Sequence, residues 1–174
     1  GTMRIVLHWA ASSGFGVVDS HLTGPDNASG RFHVYWNNRK NFYYATNTTT
    51  CIGCSTAQLS DNVTLDQDDY NGDPGTETMT IQTDSWRSGT YRYSAHNYSK
   101  ATGSDGNPTD TTFAKSGTTV KVYYNGTETT YNVPNIAGTV WKVFTIDGDS
   151  KVITTVNSMS AASKSNSGNI SYFE

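Results

Sequence analysis

Thr118–Pro134, "TTVKVYYNGTETTYNVP", decides the fold class. Two runs rich in β-branched and aromatic residues flank Asn125-Gly126. That dipeptide suits a two-residue type I′ turn, because both central positions need positive φ. A β-hairpin is expected here. Asp147-Gly148, between "WKVFTI" and "KVITTV", predicts a second hairpin on the same grounds.

Outward from these hairpins the same period of two recurs. "RIVLHWA" places Ile5, Leu7 and Trp9 on one face. "VVDSHLTGP" sets Val18, Ser20 and Leu22 against Asp19 and His21, and "RFHVYWN" sets Phe32, Val34 and Trp36 against His33 and Tyr35. "VTLDQ", "ETMTIQT" and "GTYRYSAHNYS" continue the series, and no window carries a helical apolar stripe. About eight to ten short strands with little or no helix predict an all-β, antiparallel β-sandwich of jelly-roll or immunoglobulin-like style, with a closed barrel as the alternative.

At 174 residues the chain fits a single domain, 1–174. Residues 1–3, "GTM", read as a cloning remnant, and 158–174, rich in Ser and Asn, as a flexible tail. A net charge of -3 argues against nucleic acid as a partner, and the absence of a long apolar run argues against membrane insertion. The Thr-, Asn- and Ser-rich, aromatic-rich composition predicts a secreted or cell-surface protein, part of a larger multidomain chain.

Between Lys40 and Arg87 there is no Lys or Arg, while Asp61, Asp66, Asp68, Asp69, Asp73, Glu77 and Asp84 all lie in that interval. Uncompensated carboxylates attract a hard cation that takes six to eight oxygens. Asp66, Asp68 and Glu77 fall at positions one, three and twelve of an EF-hand loop. Tyr70 at five, Asn71 at six and the strand-like flanks reject that motif. The competing reading is a hydrated acidic turn.

His21 follows Asp19 at i+2 and shares its face, and His33 and His96 occupy outward or mouth-facing positions on two other strands. Zinc on two histidines and a carboxylate is the alternative to calcium. Cys51 and Cys54, in "TTTCIGCST", are expected to form a local disulfide clipping a loop, with half a zinc site as the other reading. Tyr35, Tyr98, His33 and His96 are candidate ligand contacts, since exposed aromatics stack on sugar rings or a partner surface. Paired tyrosines supporting an exposed sheet are the bland alternative.

For catalysis the chain offers no G-x-S-x-G, no H-E-x-x-H and no phosphate loop. Asp19, Ser20 and His21 are successive on a strand and point alternately, so they are not a triad.

"VDSHLTGP", "RFHVYW", "LDQDDYNGDPGTETMTI", "GTYRYSAHNYS" and "GTVWKVFTIDG" occur in an order that resembles the YfaP-like group of exported bacterial β-sandwich domains, similar in style to bacterial pre-peptidase C-terminal domains. The resemblance implies a D-x-D-x-H-like strand on Val17, Asp19 and His21, and an acidic loop on Asp66, Asp68, Asp69 and Glu77. Val17 stands where the group carries its first Asp.

The expected function is a non-catalytic recognition or adhesion module of a bacterial surface or secreted protein, stabilised by Ca2+ at Asp19, His21, Asp66, Asp68, Asp69 and Glu77. A carbohydrate-binding module accessory to a secreted enzyme is the first alternative, a metal-dependent hydrolase the second. The expected partner is a glycan or a protein on a surface.

Overall fold

The structure, a computed structural model, describes residues 1–10, 15–26, 30–38, 40–42, 62–70, 74–83 and 86–174. Strands β1 (Met3–Trp9), β4 (Lys40–Phe42), β5 (Asn62–Gln67), β6 (Gly75–Ile81), β8 (Thr119–Tyr124) and β9 (Thr127–Asn132) form one sheet, in the order β4-β5-β6-β1-β8-β9. The second sheet contains β2 (Asp19–Pro25), β3 (Arg31–Val34), β7 (Thr90–His96), β10 (Val140–Asp147) and β11 (Ile153–Ser160), ordered β11-β10-β7-β2-β3. All pairings are antiparallel, and the two sheets make the expected sandwich.

Alternation explains which side chains fill the space between the sheets. Met3, Ile5, Leu7 and Trp9 of β1 are fully buried, as are Met79 and Ile81 of β6 and Val120 of β8. Phe32 and Val34 of β3, Tyr91 and Tyr93 of β7, and Trp141, Phe144 and Ile146 of β10 close the core from the other sheet. Each such large side chain contributes about 1.5–3 kcal/mol by leaving water. Met3 pairs with Ile81 and belongs to this core.

The hairpin at Asn125-Gly126 has φ of 50° and 75°, with Tyr124 opposite Thr127, which is the two-residue geometry the sequence demands. The second hairpin forms by a different turn. Asp147 caps a longer loop, its carboxylate accepting from the amides of Asp149 and Ser150 at 2.8 Å, and positive φ falls on Lys151. A bulge between Lys142 and Phe144 lets β10 bury Val143 as well.

Gly75 opens β6 against the Trp9 indole. A Cβ there would fall inside the van der Waals envelope of the ring, and Trp9 is locked in the core. Gly75→Ala is expected to lower the unfolding free energy by about 1–3 kcal/mol through overpacking, measured by denaturant titration.

The segment expected as a flexible tail is packed instead. β11 runs to Ser160, short 3-10 turns follow at Lys164–Asn166 and Ile170–Phe173, and Phe173 is buried to 1% exposure. The carboxylate of Glu174 accepts from Arg31 Nε at 2.5 Å, Arg92 at 2.6 Å and Thr23 Oγ1 at 3.0 Å, while Lys142 Nζ reaches its main-chain oxygen at 2.8 Å. Burial works against ionisation of Glu174, but the two arginines outweigh it and hold the group below the usual carboxylate range. This segment lies on the outer face of the second sheet, which is why β2 is buried on both faces rather than on one.

Candidate functional site: three carboxylates between the sheets

On β6 the inward phase runs Gly75, Glu77, Met79, Ile81, which places a carboxylate in line with core residues. Glu77 has no exposed surface. Its Oε2 accepts the amide of Ser20 at 2.6 Å, a bond that crosses from the first sheet to β2 of the second. Asp19, the first residue of β2, is 4% exposed, and Asp68 follows the end of β5 after the register shift between Leu65 and Gln67. A bulge re-aims the chain beyond it. One carboxylate oxygen from each of Asp19, Asp68 and Glu77 lies within 4.8 Å of the others.

Burial, followed by the charge of Asp68, pushes the Asp19 carboxyl up to about 7. Burial, followed by the charge of Asp19, raises Glu77 well above the usual range. Oε1 of Glu77 meets no donor from the rest of the described protein. Among the described residues neither Asp19 nor Glu77 forms an ion pair with Lys or Arg. Acceptor faces acceptor, so the cluster requires a shared proton or a cation to bridge it.

A pocket of about 210 Å³ opens beside the cluster, lined by Val17, Asp19, Trp36, Asp68, Tyr70 and Tyr98. Trp36 and Tyr98 meet edge to face, 6.1 Å between centroids at 76°. The sequence places Trp36 in phase with Phe32 and Val34. The strand ends at Val34, however, and a turn closed by Tyr35 and Asn38 carries the indole to the pocket.

The other expected ligands do not join the three carboxylates. Asp66 accepts from Thr64 Oγ1 at 2.7 Å and from the Thr80 hydroxyl. Asp69 accepts the Thr76 amide at 3.3 Å. His21 is packed 3.8 Å from Phe173, ring on ring at 2°, and its Nδ1 lies 2.8 Å from His33 Nε2. His96 Nε2 donates to the Ala162 carbonyl at 2.7 Å.

His21 and His96 are fully buried and His33 is partly so, which corrects the outward placement of His33 and His96; the cause is the C-terminal segment covering that face. Burial depresses all three, His33 and His96 to about 4. Tyr35 stacks on His21 and His33 in the same cluster, whereas Tyr98 lines the pocket.

Ser20 Oγ is bonded to the Tyr93 hydroxyl at 2.7 Å, so its partner is not His21. Cys51 and Cys54, and with them the disulfide and half-zinc readings, lie outside the described residues, as do Asp61, Asp73 and Asp84.

Sequence reasoning missed Trp36 and Tyr70 as pocket residues, and the Ser20 amide as partner to Glu77. The in-phase position of Glu77 with Met79 and Ile81 was a readable signal that this carboxylate is internal.

Comparison with known proteins finds no matching family model, no matching curated protein and no matching solved structure.

Proposed function

We propose that the chain is a non-catalytic recognition or adhesion module of a bacterial surface or secreted protein, with a calcium ion held by Asp19, Asp68 and Glu77. The supporting observation is the convergence of three carboxylates from both sheets, with Glu77 fully buried and facing the other two. An all-oxygen donor set suits a hard cation, whereas zinc favours the imidazoles, which here are engaged with Phe173 and with one another.

In this reading the ion ties β2 of one sheet to β6 of the other and to the residues that follow β5. Membership of the YfaP-like group and a place in a longer multidomain chain belong to the same proposal.

The test is calcium addition to chelator-treated protein, followed by thermal unfolding. An ion that binds only the folded form raises the midpoint, and unchanged melting would remove calcium from the account.

A glycan ligand is the second reading, favoured by the Trp36 and Tyr98 walls of the pocket. It predicts glycan-array signals that disappear in Trp36→Ala.

A further inference from the structure

The walls of the pocket are unlike its floor. An inorganic ion uses oxygens and has no need of Trp36, Tyr70, Tyr98 or Val17, yet these four residues line the space above Asp19 and Asp68. Trp36 and Tyr98 stand at 76° to one another, so two non-parallel ring planes border the pocket, and Tyr70, 72% exposed, supplies the outer wall. A cation surrounded by aromatic rings is attracted by their quadrupoles, and alkyl groups on that cation gain contact with ring and valine carbons.

We propose that this pocket binds an alkylammonium group, the side chain of a lysine or N-methylated lysine presented by a partner protein, with its charge against Asp19 and Asp68. The assignment rests on the reading of this pocket as the recognition site, and it names the ligand class.

The second observation that points to a positively charged occupant is Glu77. It is fully buried, its Oε1 meets no donor among the described residues, and its neighbours in the cluster are the two carboxylates that line the pocket. A neutral sugar leaves a shared proton as the only relief of that repulsion. A cation relieves it.

The rings already show this chemistry once, because Lys164 Nζ sits 5.2 Å from the centroid of Tyr98. An incoming ammonium shares Tyr98 with that lysine, so Trp36 and Tyr70 carry the larger part of the contact. A divalent ion on Asp19 and Asp68 places positive charge at the same floor. Calcium and the ammonium group therefore compete, and partner binding is strongest in calcium-free protein.

The test is isothermal titration of the full chain, chelator-treated, with N-acetyl-trimethyllysine amide and with its neutral carbon isostere, in which a tert-butyl group replaces the trimethylammonium. The expected result is at least tenfold tighter binding of the cation than of the isostere. Affinity should fall at least tenfold in Trp36→Ala and in Asp68→Asn, each checked for native circular dichroism, and should weaken as calcium is added. The comparison of the two ligands uses the unaltered protein, so it stands even where a variant misfolds.

Equal binding of cation and isostere, or no binding of either, overturns the inference. Calcium binding without ammonium binding overturns it and leaves the calcium reading intact. Glycan binding in its place supports the second reading and also overturns it. Silence towards calcium and ammonium alike removes both the inference and the calcium reading.

Discussion

Phe173→Ala is expected to lower the unfolding free energy by about 3–5 kcal/mol, the usual cost of truncating a fully buried phenylalanine. The ring is 1% exposed and lies flat on His21, with His33 at 5.3 Å and His96 at 5.5 Å between centroids. Removing it opens a cavity walled by imidazoles and weakens the seating of Glu174 on Arg31 and Arg92. Denaturant unfolding measures the loss. A cost below about 1 kcal/mol would mean that the C-terminal segment does not hold the sheet as described.

The same residue controls a pH dependence. His33 and His96 titrate at about 4 in the folded protein and near 6.5 when unfolded, so below pH 6.5 the unfolded chain binds more protons. Their contribution to stability is lost as the pH falls from 6.5 towards 4. Asp19 acts in the opposite sense, because its folded value of about 7 exceeds its unfolded value of 3.8. The stability it contributes is present at low pH and lost as the pH rises through 7.

The two slopes oppose each other between about 4 and 6.5, and above 6.5 the carboxylate slope remains. Denaturant unfolding at pH 5, 6.5 and 8 resolves them. In Phe173→Ala, water reaches the imidazoles, their values rise towards 6.5, and the histidine slope flattens.

The second large effect concerns the carboxylates. Calcium at about 100 times its Kd adds about 2.7 kcal/mol to the folded state, which for a chain of this length raises Tm by about 5–11 °C. Glu77→Gln separates this from a general structural role. Glutamine keeps an oxygen for the Ser20 amide and supplies an N–H to Asp19 or Asp68, so the metal-free variant is expected to gain about 1–3 kcal/mol, the usual cost of a buried acceptor that meets no donor. It also loses the calcium response. A variant less stable than the parent without metal, or one still stabilised by calcium, would contradict the roles assigned to Glu77.

Much of the sandwich is legible in the sequence because strands buried on one face leave a period-two signature. Ile5, Leu7, Trp9, Phe32 and Val34 all lie inward, as their alternation demands. The Asn125-Gly126 turn is legible for a local steric reason, positive φ at both positions. What escaped is non-local. Nothing near His21 or His96 announces that residues more than sixty positions later will cover them, so strands read as half-exposed are buried on both faces.

The carboxylate cluster was partly legible. Asp68 and Glu77 stand out as acids in a region without Lys or Arg, and Asp19 by the face it shares with His21, but Asp66 and Asp69 carry the first signal as well and do not take part. Spacing along a loop cannot rank them, since the bulge in β5 decides which side chain turns inward. Trp36 was lost for a similar reason, because the strand that kept it in phase with the core ends two residues earlier.

Titration of chelator-treated protein with calcium at pH 7.5 tests the central claim most directly. One ion per chain, with proton release and with binding abolished in Glu77→Gln, is the predicted result. No heat of binding, together with a melting temperature unchanged between excess calcium and excess chelator, would contradict it.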